Sequence, residues 1–209
     1  LAMTYGDIEK MKEISKHLES ETGDMYPSAL TKILEARMEL QSGTDSNKAA
    51  DLAEEAFRLL VDSYKPDNED AFFSISDCLT YLLMVGKTDL IDELLHYALQ
   101  TLDDKGLTDR DKGMLFSWLG DFSKDWETGV GYYKQAADLL RNDHDKDPYY
   151  ANQCMIAYAY ANNNRTDEAI ALYRDICKYY ENGNIVSGPY KRALRALGDL
   201  YYALGRADK

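Results

Sequence analysis

The chain has 209 residues, 45% of them hydrophobic, and its 37 acidic against 24 basic side chains give a net charge of −13. That is enough apolar material for a packed core, while so acidic a surface repels phosphates and anionic lipid heads and argues against DNA, RNA or membrane-surface partners. The longest apolar run, Cys154 to Ala161, falls far short of the ~20 residues that span a bilayer.

Apolar residues recur at helical spacing from one end of the chain to the other. Near the start, Met11, Ile14 and Leu18 form such a stripe. Leu90, Leu94, Leu95 and Ala98 form another, and Ala169, Leu172, Tyr173 and Ile176 a third. The spacing predicts ten helices, at 7–20, 28–41, 46–62, 68–84, 87–103, 109–124, 126–142, 149–162, 166–181 and 189–204. Breakers fill the connections: Gly23 and Pro27, Gly43, Pro66, Gly86, Gly106, Pro148, and Gly183 through Pro189. No strand-like alternation persists, and no linker rich in Gly, Ser or Pro cuts the chain, so 1–209 reads as one domain.

Two motifs repeat. Gly86-Lys87-Thr88-Asp89 returns 78 residues later as Asn164-Arg165-Thr166-Asp167, and 41 residues after that as Gly205-Arg206-Ala207-Asp208. Leu119-Gly120-Asp121-Phe122 returns, also 78 residues on, as Leu197-Gly198-Asp199-Leu200. A shared offset for unrelated motifs indicates a period near half of it, about 39 residues. Each tag reads as a turn into a helix. Gly or Asn supplies the left-handed residue that ends one helix, Thr or Asp caps the next, and acids occupy its first turn.

These residues resemble the tetratricopeptide repeat family. The best match runs from Tyr149 to Ile176: Ala157 inside a first helix, Tyr160 a turn later, the turn at Asn164, then Ala169, Tyr173 and Ile176. The next unit gives Leu194, Leu197, Gly198, Tyr201 and Gly205. Small side chains such as Ala157, Ala169 and Gly198 are expected where helices cross, with large ones flanking them. Earlier units align through Ala49, Ile91 and Gly129, at spacings about six residues above the family's usual ~34. The resemblance implies an all-α fold, an α-solenoid of about five antiparallel helix pairs wound as a right-handed superhelix. A concave groove for protein or peptide partners goes with it.

Little in the chain suggests chemistry. His17, His96 and His144 lack metal-ligand spacing, and Cys78, Cys154 and Cys177 form neither a disulfide framework nor a zinc site. Gly129-Val130-Gly131 reads as a helix crossing rather than a dinucleotide turn. Asp143-His144-Asp145-Lys146-Asp147 begins like a calcium loop, but Pro148 stands where that loop needs Gly and Cys154 where it needs Glu. No catalytic residue, metal site or cofactor is therefore expected.

Tyrosine is the unusual component. Seventeen occur, twelve of them from Tyr132 onward. Tyr160, Tyr173 and Tyr201 fit core positions. Tyr158 and Tyr202 fall on the other stripe of their helices, which in the family lines the groove. Arg192, Arg195 and Asp199 share that stripe with Tyr202. Tyr and Arg are the residues of binding hot spots, so Tyr158, Asn162, Arg192, Arg195 and Tyr202 are the candidate partner-binding set.

The expected function is a non-catalytic protein or peptide interaction scaffold; the alternative is a sensory or regulatory segment of a larger signalling protein. Both ends read as cut. The chain opens at Leu1 without a leader and stops where the third tag starts a helix, so a longer protein is expected. A helix from about Asp208 would then cover the final pair. Without it, exposed Leu197, Leu200 and Tyr201 are expected to favour self-association.

Overall fold

The computed structural model describes residues 5–66 and 69–205. Among them are ten α-helices and no strand: α1 (Tyr5–Thr22), α2 (Tyr26–Ser42), α3 (Ser46–Asp62), α4 (Glu69–Met84), α5 (Thr88–Asp103), α6 (Asp109–Asp121), α7 (Trp126–Leu140), α8 (Asp147–Asn162), α9 (Thr166–Asn182) and α10 (Gly188–Ala203). Every predicted helix is present, with ends displaced by at most about one turn. The predicted start of the fourth helix at 68, and Arg206, Ala207 and Asp208 of the last tag, lie outside the described residues. The chain forms two compact units, Leu1–Thr108 and Asp109–Lys209.

The tags end helices as their composition predicts. Gly86, Asn164 and Gly205 all have left-handed backbones, with φ of 77°, 60° and 65°. Lys87 N donates to Leu82 O and Arg165 N to Tyr160 O, both at 2.9 Å, which returns the chain across the last turn of the preceding helix. The expected caps are absent. Lys87 and Arg165 occupy the N-cap positions and make no side-chain capping bond, while Thr88 and Thr166 are already helical. The tight reversal leaves no room for a separate capping residue. Side-chain caps occur elsewhere: Asp45 accepts from Asn47 N and Lys48 N at the start of α3, and Asp125 accepts from Thr128 N at the start of α7.

In the first unit, α3 turns Ala49, Ala53, Ala56 and Phe57 inward, and the three alanines allow close approach by α2, which buries Ala29, Ile33 and Ala36. Ile75, Leu79 and Leu82 of α4 and Ile91, Leu94, Leu95 and Ala98 of α5 complete the core. The Met11, Ile14, Leu18 stripe is not the buried face of α1. Ile8 and Ser15 are buried, Met11 is half-buried, and Ile14 is 60% exposed. The reason is a polar contact with α2. Ser15 Oγ and Thr31 Oγ1 are 2.9 Å apart, Lys12 pairs with Glu35 at 2.5 Å, and Ser28 donates to Glu19 at 2.8 Å.

The second unit is built on close crossings. A Cβ on Gly113 would lie 2.7 Å from Leu140 Cγ, and one on Gly120 would lie 2.6 Å from Tyr133 Cε1. These glycines are two turns apart on α6 and their partners two turns apart on α7, so the helices run antiparallel with the side chains of α7 seated on bare backbone of α6. Gly129 belongs to the same crossing, its added Cβ falling 3.2 Å from Gly120 O; Gly131 has open space and does not. Ala157 and Ala169 are fully buried, as expected between α8 and α9. Gly198 is not at a crossing: it is exposed, and nothing lies near its added Cβ. The buried face of α10 is instead Ala193, Leu197 and Tyr201, which leaves Leu194 at 44% exposure outside it.

The tyrosine excess has a structural use. Tyr149, Tyr150, Tyr179, Tyr180 and Tyr190 form a chain of ring contacts with centroids 4.4–6.1 Å apart, joining the start of α8, the end of α9 and the start of α10. The three cysteines are buried and unbridged. Burial raises all three thiols, that of Cys154 to about 11, as suits packing residues rather than nucleophiles.

Candidate partner-binding face

Helix directions in the second unit follow from paired contacts. Tyr180 meets Tyr150 while Tyr173 donates to Cys154 O, so α9 runs antiparallel to α8. Tyr180 also meets Tyr190, and Arg174 lies over Tyr201, so α10 runs antiparallel to α9. Helices α8 and α10 are therefore parallel neighbours. Cys154 Sγ lies 3.5 Å from Pro189 O, and Arg192 Nη1 3.6 Å from Met155 Sδ.

The second contact sets the register of the face. One turn beyond Met155 on α8 comes Tyr158, then Asn162; one turn beyond Arg192 on α10 comes Arg195, then Asp199 and Tyr202. All five sequence-predicted residues are exposed, Tyr158 at 59% and Tyr202 at 80%. The structure thus brings Tyr158, Asn162, Arg192 and Arg195 onto adjoining stripes. Tyr202 lies at the edge of its stripe, toward the side of α10 that carries Gly198.

Two residues of this neighbourhood were not singled out from sequence. Tyr133 Oη donates to Asp121 Oδ1 at 2.7 Å, and the Arg192 guanidinium acts on both groups. Packing around the Asp121 carboxyl raises it above its ordinary range, although the residue as a whole is exposed; Tyr133 and Arg192 oppose that rise. Burial and Asp121 together hold the Tyr133 phenol protonated far into the alkaline range. Arg192 makes no ion pair among the described residues; its side chain meets Met155 Sδ. Arg195 makes no ion pair among the described residues. The echo of Leu119-Gly120-Asp121 could have drawn attention to Asp121, whereas Met155 had no signal beyond its spacing from Tyr158.

Leu197 and Tyr201, expected to be exposed, are buried against the preceding helices. Tyr201 Oη is buried without a hydrogen bond among the described residues. Tyr201→Phe is accordingly expected to be neutral or stabilising by up to about 1 kcal/mol, since it removes an unpaired hydroxyl and keeps the ring. Thermal unfolding of the variant below that of the parent would show that the hydroxyl has a partner.

Elsewhere the charged clusters are internally matched. Arg110 pairs with Asp143 at 2.9 Å and Asp145 at 3.4 Å, Asp147 accepts from Tyr180, and His144 is exposed beside Asp143. No group of three or more His, Cys, Asp or Glu among the described residues is placed to hold a metal. His17 sits beside Glu21 and His96 bonds Asp92 O. A polar cleft of about 520 Å³ between α1, α2 and α3 has its Lys12 and Lys32 paired with Glu35 and Glu55. No helix among the described residues is long and apolar enough to cross a membrane.

No sequence-family model matches the chain, and no curated protein does. Solved structures do. BtubC (BKLC) from P. vanneervenii superposes with a TM-score of 0.73 at 19% identity, over 97% of this chain and 84% of that one. The nearly identical TPR-like repeats of a putative kinesin light chain from Podosopora anserina superpose with a TM-score of 0.61 at 16% identity, over 85% of this chain and 87% of that one. A single-substitution form of the latter gives 0.63. The chain has the tetratricopeptide-like helical-repeat fold. Tetratricopeptide-like folds commonly mediate protein–protein interactions and are generally non-catalytic scaffolds. In the tetratricopeptide-like arrangement here, Tyr158, Arg192 and their neighbours belong to the first helices of successive pairs, as the repeat pattern requires.

Proposed function

We propose that this chain is a non-catalytic scaffold and that it binds a protein or peptide partner through Tyr158, Asn162, Arg192, Arg195 and Tyr202. The observation that carries this reading is Arg195: an exposed guanidinium without an ion pair among the described residues, on a helix that also exposes Tyr202, in a chain of net charge −13. A guanidinium recognises a carboxylate by paired hydrogen bonds, and tyrosine rings cover apolar surface at small entropic cost. The surrounding negative field repels long polyanions. A short segment with one acidic group between apolar residues fits this combination.

Selection from a random peptide display library tests the proposal. Binders are expected to carry an Asp or Glu flanked by apolar residues, and to weaken at least tenfold when that acid becomes its amide, equivalent to ~1.4 kcal/mol. Recovery of neutral or basic binders that are insensitive to this exchange would contradict it.

A further inference from the structure

Helix α10 carries a second surface, outside its buried Ala193, Leu197 and Tyr201 face, which the α6–α7 crossing explains. On α6, Gly120 of Leu119-Gly120-Asp121 is covered: the Tyr133 ring lies against it, and its hydroxyl donates to the exposed Asp121 at 2.7 Å. On α10 the same tripeptide, Leu197-Gly198-Asp199, keeps Leu197 buried but is otherwise bare. Gly198 has open space where its Cβ would be, and Asp199 is exposed without an ion pair among the described residues. One turn beyond Gly198 stands Tyr202, 80% exposed. Leu194, also exposed, lies one turn before Gly198.

Hole and plug thus occupy one stripe of one helix. A surface that carries both halves of a tyrosine-on-glycine contact is self-complementary, the requirement for a two-fold interface. We propose that a second copy of this chain packs antiparallel on α10, each protomer seating its Tyr202 ring on the other's Gly198 with the hydroxyl donating to Asp199. The contact reproduces between chains the Tyr133–Gly120–Asp121 arrangement made within each chain. It spans one helix face, below the area of a permanent dimer, and both copies are strongly acidic, so the association is concentration-dependent and weak. The dimer contact meets the proposed partner face only at Tyr202. In the dimer Tyr202 leaves that face, and Tyr158, Asn162, Arg192 and Arg195 remain on it.

Sedimentation velocity from about 10 µM to about 1 mM, in salt sufficient to screen mutual repulsion, tests this. The parent chain is expected to shift from monomer toward dimer across the range. Gly198→Gln fills the hole with an uncharged helix-forming residue whose Cβ meets nothing in its own protomer, and it should weaken association at least tenfold, as should Tyr202→Ser. Gly131→Gln, the same change at a helical glycine that is also open, should associate like the parent. A parent that stays monomeric throughout, or a Gly198→Gln variant that dimerises like the parent, overturns the proposal. Loss of association in Gly131→Gln as well would show a general effect of the substitution and overturn it too.

Discussion

Gly120→Leu is expected to destabilise the second unit by about 3 kcal/mol, the upper part of the range for overpacked cores. The Cβ alone would fall within 2.6–2.8 Å of three atoms of the Tyr133 ring. That ring cannot swing aside freely, because it is 6% exposed and its hydroxyl is held by Asp121. Relief requires α7 to move off α6, which also disturbs Leu140 on Gly113 two turns away. Gly131→Leu on α7 is the matched control. Its Cβ meets nothing, and removal of a helical glycine gains up to ~1 kcal/mol. Denaturant unfolding of both variants decides: equal midpoints would mean that α6 and α7 do not cross at Gly120.

Tyr180→Ala is expected to cost about 3–5 kcal/mol, comparable to truncating other large aromatic core residues. Tyr180 is 1% exposed, touches Tyr150, Tyr179 and Tyr190, and donates to Asp147 Oδ1 at 2.7 Å. One side chain therefore joins α8, α9 and α10, and its removal opens a cavity at the meeting of all three. Tyr180→Phe keeps the ring contacts and loses only the hydrogen bond, so about 1 kcal/mol is expected. Should the alanine variant unfold no earlier than the phenylalanine one, the tyrosine chain would be surface decoration rather than packing.

What could be read from the sequence follows the range of the interaction that determines it. Helix positions were legible because a 3.6-residue apolar period is a local property, and the turns at Gly86 and Asn164 were legible because a left-handed residue has its own composition. Crossings were legible only in part. Gly120 and Gly198 share the neighbours Leu and Asp, yet one lies under a tyrosine ring and the other in open space. Nothing within a few residues distinguishes them, since Tyr133 of the next helix covers the first and no described residue the second. The same limit misplaced the face of α1, where Ser15, Thr31 and ion pairs meet α2 while Ile14 points outward. The candidate site divides similarly. Exposure of Tyr158, Arg192, Arg195 and Tyr202 follows from helical phase, whereas the contact of Arg192 with Met155 depends on bringing α8 and α10 together.

The central claim is that the face along α8 and α10 binds a partner without supporting the fold. The most direct measurement is Arg192→Ala with Arg195→Ala in one chain, with affinity for a selected peptide and melting temperature determined on the same sample. Both side chains are exposed, so the stability read from the melting temperature should change by no more than about 0.5 kcal/mol, the range of ordinary surface changes. Affinity should fall by about 2 kcal/mol, the threshold of a hot spot. Lowered stability with unchanged affinity would contradict the account.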